Sequence, residues 1–439
     1  MRPPSSARRS LTEIAAVGLA CAAMACGGGG DGGGGEGTPA TTATPASAQE
    51  VTIRVGQTFQ RVSGFGASSA WRSTPPSTAQ ADQLFSASKG IGLAWLRIRI
   101  APDGTTVEMP TVRLATARGA NVWAAPWSPP GAWKTNGSDT NGGSLRPEFY
   151  GPWADRLADF AASMKAQGFP LVYLSAQNEP GWVADWETCE WTPTQLLTFV
   201  RDYLGPALAS RGLDVPLLVP ESNDWNRLRE LADPLLADAR AAAFIGVIAM
   251  HAYGGTPFAY GRPAALDKEL WESEWSTPST DTGMTSGLEL AQSIHDHFVM
   301  GGVNAYHYWW LIQDQAGAAG GLIQAGVTTK RVWVMGNYSK FARPGSLRVD
   351  ATVPASAYNL TVTAFRRASP GTLVVVIANR GTATQPLHVN LAGGSVGAVT
   401  PWVTSDSLDL ASQASIAGGT GFDYDLPARS VTTFVGPLT

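Results

Sequence analysis

The sequence has little cysteine and no strong excess of charge of either sign. Of its three cysteines, Cys189 alone lies beyond the first 26 residues. A single cysteine supports neither a disulfide framework nor a cysteine metal site, and with no histidine near it in sequence we expect a packed thiol rather than a nucleophile. The formal net charge of -4 at pH 7 gives the chain no electrostatic reason to bind nucleic acid.

No apolar run near the start is long enough to cross a membrane. Residues 1–26 begin with basic side chains and end with small ones, which is typical of an export signal. Cys26 resembles the lipid-modified cysteine of a bacterial lipoprotein, with simple secretion as the alternative. Residues 27–49 are rich in Gly, Thr and Pro and predict a flexible linker. We therefore expect an exported protein, either secreted or held at the cell surface by a lipid anchor.

Tryptophan is abundant, with 16 residues in the chain of 439. Most tryptophans pack in cores, but the flat indole ring is also the surface on which carbohydrate-binding clefts stack sugar rings. The excess therefore favours a sugar ligand. Because 44% of the residues are hydrophobic, the chain can bury a sizeable core, and we expect one large domain and a smaller one.

Short apolar runs alternate with helix-like stretches across residues 62–343. Amphipathic helices are predicted between these runs, for example at 149–168 and 284–301. Strands without a polar face that alternate with helices are typical of a parallel sheet covered by helices. Eight strands favour a closed (β/α)8 TIM barrel over an open sheet, and they are predicted at 62–68, 93–100, 121–127, 171–180, 216–222, 245–253, 268–275 and 304–311.

The last part of the chain, residues 344–439, has a different character. It is rich in β-branched residues, which are separated by Gly, Pro, Ser and Asn turns, and this predicts an antiparallel β domain. An early strand within residues 50–61 lies just outside the barrel and could pair with it. The sequence therefore predicts an α/β barrel with a side domain made from both ends of the chain.

Two strand ends carry carboxylates that could act together. In a (β/α)8 barrel the chemistry lies where the strands end, and here one end carries Glu179 and another carries Glu272 and Glu274. Glycoside hydrolysis needs two such carboxylates, one to protonate the leaving oxygen and one to attack the anomeric carbon or activate water. The loop 182–191 follows Glu179 and carries three tryptophans, so it is predicted to form one wall of a cleft, with surface packing as the alternative.

Glu272 and Glu274 compete for the second catalytic position. Because side chains alternate along a strand, we expect both on one face. Two residues along a strand span roughly 6–7 Å, so Glu272 would lie deeper, where an unpaired charge is costly. Glu274 is therefore the better candidate nucleophile, and we expect a cationic neighbour such as Arg97 to hold the charge of Glu272.

Six stretches follow one another in an order that resembles glycoside hydrolase family 30, in particular its bacterial xylanase branch. They are "GFGASSAW" (64–71), "APWSPPGAWK" (125–134), "YLSAQNEP" (173–180), "HAYG" (251–254), "LWESEWS" (270–276) and "GNYSKFARPGSLRVDAT" (336–352). The likeness covers roughly residues 51–439. It implies a barrel fused to a β-sandwich-like side domain and a retaining mechanism; no metal or other cofactor is expected.

The resemblance also implies roles for single residues. Glu179 matches the acid/base of the family and Glu274 its nucleophile. Arg97 resembles an arginine that supports the nucleophile, and an ordinary ion pair is the competing interpretation. Further residues resemble the substrate cleft of the family, with core packing as the alternative: Trp71, Trp127, Asn178, His251, Tyr253 and Trp309.

One departure from the family bears on specificity. Its glucuronoxylan-specific members carry an arginine pair after the last-strand tryptophans, which grips the carboxylate of the uronic acid. Here Ile312, Gln313 and the acidic Asp314 stand at that place. We therefore expect an enzyme that cleaves β-1,4-xylan internally without strict dependence on glucuronate. We also expect it to be a monomer. The alternatives are another specificity of the family, such as endo-β-1,6-galactanase or glucosylceramidase, or a surface lipoprotein that binds glycans without cutting them.

Overall fold

The structure is a computed structural model that describes residues 48–315, 317–318 and 320–439. The predicted export signal, Cys26 and nearly all of the predicted linker lie outside these ranges. The described residues form one compact unit. No helix within the described ranges is both long enough and apolar enough to cross a membrane.

The strands and helices are numbered in chain order. The strands are β1 (Gln49–Arg61), β2 (Gly64–Ser68), β3 (Trp95–Ile100), β4 (Asn121–Pro126), β5 (Tyr173–Ser175), β6 (Leu217–Ser222), β7 (Ile245–His251), β8 (Glu269–Trp275), β9 (Ala305–Gln313), β10 (Gly321–Gln324), β11 (Val327–Thr328), β12 (Leu347–Thr352), β13 (Leu360–Arg367), β14 (Thr372–Asn379), β15 (Gln385–Ala392), β16 (Thr400–Thr404), β17 (Ala411–Ser412), β18 (Gly421–Leu426) and β19 (Ser430–Pro437). The helices are α1 (Thr78–Phe85), α2 (Met109–Thr116), α3 (Tyr150–Ala166), α4 (Pro193–Thr198), α5 (Gly205–Ser210), α6 (Leu228–Ala237), α7 (Ala239–Phe244), α8 (Arg262–Ala265), α9 (Met284–Asp296) and α10 (Lys330–Ser339). Short 3-10 turns cover Gly131–Trp133 and Pro147–Phe149, and π-helical turns cover Phe199–Leu204 and His297–Gly301.

The strands β2 to β9 form a closed parallel barrel. Neighbours in chain order pair with each other, and β9 pairs with both β8 and β2, which closes the ring. The predicted (β/α)8 barrel is confirmed. Its strands are apolar on both faces because one face packs against the helices, as Leu96 and Ile98 of β3 do, while the other fills the interior, as Trp95 does.

Aromatic side chains fill the interior of the barrel beneath the site. The ring centroid of Trp271 lies 4.8 Å from that of Trp95 and 6.5 Å from that of Trp123. The His307 ring stacks on Trp271, and its Nε2 atom accepts a hydrogen bond of 3.2 Å from Trp123 Nε1. Part of the tryptophan excess therefore belongs to the core and supports the floor of the cleft from below.

The second sheet folds over itself to make a sandwich. Its strand order is β17-β16-β19-β14-β13-β12-β1-β15-β18. Phe422 on the edge strand β18 nevertheless contacts Phe434 on β19, with ring centroids 5.1 Å apart. The predicted β-sandwich-like side domain is confirmed. The strand β1 lies between β12 and β15, and its pairing with β15 is parallel, whereas the other strand pairs of this sheet are antiparallel.

The last barrel helix, α10, packs against the sandwich through a buried polar contact. Asn337 Nδ2 donates hydrogen bonds to Thr433 Oγ1 at 2.9 Å and to the Trp402 carbonyl at 3.1 Å. Thr433 Oγ1 in turn donates to the Asn337 carbonyl at 2.8 Å. Breaking a buried network of this kind leaves unpaired polar groups, so the sandwich anchors the helix that follows the last barrel strand.

Candidate active site

The carboxyl ends of four barrel strands bring together one cluster of charged side chains. Arg97 lies on β3, Glu179 follows β5, His251 ends β7 and Glu274 lies near the end of β8. Arg97 and His251 are fully buried, and Glu179 and Glu274 are 7% and 6% exposed. One carboxylate oxygen of Glu179, one of Glu274 and a ring nitrogen of His251 all lie within 4.8 Å of one another.

Glu179 is held in an unusual backbone conformation. The strand β5 ends at Ser175, so the chain has already left the sheet when it reaches Glu179, whose φ angle is 46°. This left-handed conformation costs about 1–2 kcal/mol for a residue with a side chain. The Glu179 backbone N–H donates to the Glu221 carbonyl at 3.0 Å, and Glu179 Oε1 lies 2.9 Å from His251 Nδ1. These contacts fix the carboxylate at the floor of the cleft.

Glu274 is held from two sides. Arg97 Nη1 donates to Glu274 Oε2, and the Tyr253 hydroxyl donates to Glu274 Oε1 at 2.9 Å. Burial raises the pKa of Glu274 above its usual range, while the charges of His251 and Arg97 act in the opposite direction. The carboxylate is therefore oriented on both oxygens and points toward the cavity.

Arg97 is the central cation of the floor. Besides Glu274, its guanidinium donates to Glu221 Oε1 and to Asn178 Oδ1. It also lies over the rings of three tryptophans that are 4.6 to 5.3 Å from its central carbon, Trp123, Trp127 and Trp309. Burial opposes its charge, but Glu221 and Glu274 raise the pKa of Arg97 above its usual value. Arg97 thus stays charged and links the acids to the aromatic walls.

His251 is surrounded by carboxylates. Its Nδ1 atom faces Glu179, and its Nε2 atom lies 3.4 Å from Glu221 Oε1 and 3.6 Å from Glu274 Oε2. Burial alone would lower its pKa, but the charge of Glu274 and the hydrogen bonds with Glu179 and Glu221 raise the pKa of His251 to about 10. The imidazole therefore carries a positive charge at neutral pH.

Above this floor lies a cavity of about 720 Å³ with aromatic walls. Its lining includes Trp71, Trp127, Glu179, Trp182, Trp186, Asn223, Asp224, Tyr253, Glu274, Ser276, Trp309 and Trp310. The rings of Trp71, Trp127 and Trp309 pack together, with centroid distances between 4.8 and 6.0 Å. Such a surface is suited to stacking sugar rings.

The predicted cleft residues fall into two groups. Trp71, Trp127, Tyr253 and Trp309 line the cavity. Asn178 and His251 lie beneath it instead, where their contacts are with Arg97 and the carboxylates rather than with the cavity surface. Their direct contact with a substrate stays a prediction.

The loop 182–191 forms a wall of the cavity through Trp182 and Trp186. A partly buried ion pair anchors it to the barrel, because Arg99 Nε on β3 donates to Glu187 Oε2 at 2.8 Å. The Arg99 guanidinium also lies 5.3 Å from the ring centroid of Trp71 on the facing wall. One arginine therefore braces both walls. Cys189 of this loop is a buried free thiol, and burial raises its pKa to about 12.

The structure corrects two expectations about Glu272. The register of β8 against β7 slips at Ser273, so that Glu272 pairs with Met250 while Glu274 pairs with His251. Met250 and His251 are adjacent on β7, so their side chains point to opposite faces of the sheet. Because each glutamate pairs with one of them, this β-bulge places Glu272 and Glu274 on opposite faces. The expectation that they share a face is wrong.

The expectation that Arg97 holds the charge of Glu272 is also wrong. Arg97 contacts Glu274 and Glu221 instead, and Glu272 Oε2 accepts from the backbone N–H of His307 at 2.9 Å. Glu272 is fully buried, and this burial raises its pKa well above the usual range. Burial therefore favours the protonated form of Glu272, and Arg97 makes no contact with it.

Two buried glutamates near the site escaped the sequence interpretation. Glu221, in β6, completes the charge cluster, and its signal was available because "PLLVPES" is an apolar strand that ends in an acid. Glu108 accepts from Ser69 Oγ at 2.8 Å and from the Trp71 backbone N–H at 3.2 Å, which holds Trp71 at its φ angle of 60°. Burial raises the pKa of Glu108 to about 7. Glu108 directly precedes α2, and an acid at that position is typical of an ordinary helix start.

Glu179, His251 and Glu274 are close enough to surround a metal ion. Their donor atoms are already engaged, however, because both ring nitrogens of His251 face carboxylates and Arg97 binds Glu274. Two cations already share this site, so a third would meet repulsion in a medium of low dielectric constant. The residues fit proton transfer and nucleophilic attack better than they fit a metal.

Comparison with known proteins relates both parts of the chain to one family. Residues 97–265 match the "Glycosyl hydrolase family 30 TIM-barrel domain" and residues 345–434 match the "Glycosyl hydrolase family 30 beta sandwich domain". The chain is 31% identical over 406 residues to the glucuronoxylanase XynC of Bacillus subtilis, which covers 89% of this chain and 92% of that one.

Solved structures extend the comparison to the fold. The xylanase Xyn30A from Clostridium acetobutylicum, of family 30 subfamily 8, superposes with a TM-score of 0.80 at 36% identity and covers 88% of this chain and 99% of its own. An endoxylanase from Clostridium papyrosolvens C71 gives a TM-score of 0.76 at 33% identity, with 88% and 100% covered. The barrel, the sandwich and their order along the chain are thus shared with these proteins.

Proposed function

The chain belongs to glycoside hydrolase family 30, and from that membership we propose that it is a retaining endo-β-1,4-xylanase. The relatives described above, at 31% to 36% identity, are a glucuronoxylanase and two xylanases, which supports xylan as the substrate. The aromatic cavity above a pair of carboxylates supports the same class of ligand and reaction.

The separation of the two carboxylates carries the proposal. An oxygen of Glu179 lies within 4.8 Å of an oxygen of Glu274. Retaining glycosidases hold their carboxyl groups about 5–5.5 Å apart, whereas inverting ones leave roughly 6.5–9.5 Å for a water molecule. The short separation supports direct attack by one carboxylate on the sugar.

In the first step Glu274 attacks the anomeric carbon while Glu179 donates a proton to the leaving oxygen, and the glycosidic bond breaks. The charges of the floor favour this arrangement. Arg97 and protonated His251 supply two positive charges, and Glu221 and Glu274 supply two negative ones. The cluster is therefore neutral when Glu179 carries the proton that the step consumes.

In the second step Glu179, now ionised, removes a proton from a water molecule that attacks the anomeric carbon. The bond from the sugar to Glu274 breaks, and the product leaves with its original anomeric configuration. Tyr253 and Arg97 bind the two oxygens of Glu274 when it is released as a carboxylate, which stabilises it as a leaving group.

A charge pair at the rim supports cleavage without strict dependence on glucuronate. Asp314 accepts two hydrogen bonds from Arg72, both of 3.1 Å, at the place where the family resemblance predicts a uronic-acid-binding arginine pair. Arg72 directly follows Trp71, which lines the cavity. Because Asp314 neutralises this arginine, a carboxylate on the substrate would gain little attraction there.

A panel of polysaccharides tests the proposal. We expect comparable release of xylo-oligosaccharides from glucuronoxylan, arabinoxylan and linear xylan. We expect no hydrolysis of β-1,6-galactan or glucosylceramide. Proton NMR of the earliest products should show the β-anomer before mutarotation. Cleavage of galactan or glucosylceramide in place of xylan, or an initial α-anomer, would contradict the proposal. Affinity for xylan without new reducing ends would favour the non-catalytic lipoprotein.

We also propose that the protein is exported as a monomer and anchored through acylated Cys26. Labelling with a fatty acid in a bacterial host should mark the wild-type protein, while Cys26→Ser should be unlabelled and released from membranes. Equal release of the two proteins would favour simple secretion. Sedimentation of the released form should give the mass of one chain.

A further inference from the structure

One buried acid of the cluster, Glu221, takes no part in the bond-making and bond-breaking steps. Glu221 has no exposed surface, and its φ angle of 59° lies in the left-handed region. Holding a side-chain-bearing residue there costs about 1–2 kcal/mol, and burying a carboxylate costs more unless it is paired. Such a residue persists only where the surrounding structure stabilises it, so its contacts indicate what it does.

Both carboxylate oxygens of Glu221 are engaged by groups of the floor. Oε1 accepts from Arg97 Nη2 and lies 3.4 Å from His251 Nε2. Oε2 accepts from the hydroxyl of Ser175 on β5. Its backbone carbonyl accepts from the N–H of Glu179, which ties the two left-handed residues together. Glu221 therefore contacts the two cations of the cluster and the backbone of the candidate acid/base, but not the cavity.

We propose that Glu221 is a positioning residue whose negative charge offsets the positive charges of Arg97 and His251 and holds both side chains in place, and so sets the pH range in which Glu179 acts as an acid while Glu274 acts as a nucleophile. This inference rests on the proposed function for the roles of Glu179 and Glu274. The contacts of Glu221 with Arg97, His251 and the Glu179 backbone support it independently.

The charged neighbours of Glu221 come from each strand packed around it. They are Arg97 on β3, Glu179 after β5, His251 on β7 and Glu274 on β8. Glu221 contacts the two cations directly. The two acids contact those cations in turn. Glu274 and Glu179 still face His251 when Glu221 loses its charge, so His251 stays doubly protonated. Removing the charge of Glu221 therefore makes the floor more positive by one unit.

Loss of the Glu221 charge should move the pH dependence of the activity toward lower pH. A more positive floor favours the ionised form of each catalytic carboxylate over its protonated form. In a retaining enzyme the acidic limb of kcat/KM reports the nucleophile and the alkaline limb reports the acid/base. Both limbs should therefore move to lower pH when Glu221 loses its charge, by about one unit for a charge at this distance.

The first experiment compares Glu221→Gln with Glu221→Asp, measuring kcat/KM on a soluble xylo-oligosaccharide from pH 4 to 9. Glu221→Gln keeps the shape but removes the charge, and both limbs should move down by about one unit. Glu221→Asp keeps the charge but loses reach, so its rate should fall while its limbs stay in place. Unchanged limbs in Glu221→Gln, or equal shifts in both variants, would overturn the proposal.

The second experiment needs no substitution at Glu221. The chain has five histidines, and burial lowers the pKa of His295, His297 and His307 to about 4, 4 and 3. In a His388→Gln protein labelled with ¹⁵N at histidine, we expect one imidazole, that of His251, to stay doubly protonated up to pH 8. Its absence in that range would sink the proposal even if Glu221→Gln fails to fold.

The two proposals fail separately. A wild-type protein that does not cleave xylan would refute the proposed substrate, while the titration of His251 would still decide the charge arrangement. A wild-type xylanase whose His251 is neutral at pH 7 would leave the proposed function intact and refute the role of Glu221.

Discussion

The floor and the rim of the cleft are built from different chemistry. The floor consists of Arg97, Glu221 and His251, which are fully buried and held by charge and hydrogen bonds. The rim carries aromatic side chains that are partly exposed, such as Trp71 at 36% and Trp182 at 43%. A change in the floor leaves a buried charge unpaired, whereas a change at the rim removes contact area that solvent partly replaces. The sensitivity of the protein should therefore fall from floor to rim.

The largest effect is expected at Glu274. Glu274→Gln removes the nucleophile and should lower kcat on xylan by at least about a thousandfold. Glu272→Gln is the matched control on the same strand, because burial favours the uncharged form of Glu272 and an amide can replace it as acceptor for the His307 N–H. It should keep most of the activity. Equal losses in the two variants would contradict the assignment of the nucleophile.

A second prediction separates the two catalytic acids. Glu179→Gln should lower kcat on xylan by about 10²–10⁴, the usual contribution of a general acid. With an aryl xyloside, whose leaving group needs no proton, Glu179→Gln should still release a burst of phenol, whereas Glu274→Gln should release none. Stopped-flow absorbance at the phenolate band measures both. A burst from Glu274→Gln would reverse the assignment.

The next effect is on stability rather than rate. Arg97→Met leaves the carboxylates of Glu221 and Glu274 without their cation and should lower the free energy of unfolding by about 3–5 kcal/mol at neutral pH. Arg54→Met is the control, since Arg54 makes a partly exposed ion pair of 2.6 Å with Asp350 and should change stability by less than about 1 kcal/mol. Urea unfolding at pH 7 measures both. Similar losses would mean that floor and surface pairs do not differ.

The wall loop 182–191 should show an intermediate effect. Glu187→Gln weakens the contact with Arg99 that braces this loop. The wall would order less well around the substrate, so KM should rise by about three- to tenfold while kcat changes little. Glu148→Gln, at an exposed pair 3.8 Å from Arg146, is the control and should leave both constants unchanged. A fall in kcat alone would assign Glu187 to the floor instead.

The positions of Glu179 and Glu274 could be predicted from the sequence, because an acid at the end of an apolar barrel strand has few structural explanations. The same signal was present at Glu221, but the sequence does not tell whether such an acid points into the cavity or lies beneath it. The bulge at Ser273 was also hidden, since it exists only in the pairing of β8 with β7. Contacts between distant strands, rather than local patterns, decide these features.

The smallest effect is expected at Asp314, on the outermost part of the rim. Asp314→Ala frees Arg72, which should then attract the uronic acid of glucuronoxylan and lower its KM by about twofold, since an exposed charge pair is worth about 0–1 kcal/mol. Linear xylan has no carboxylate, so its KM should not change. The gain should fade in 0.5 M NaCl, where exposed charges are screened. Arg72→Met combined with Asp314→Ala should abolish it, because the attraction needs the freed guanidinium. A gain that survives salt and the double substitution would mean that the aromatic rim, rather than Arg72, distinguishes the two xylans.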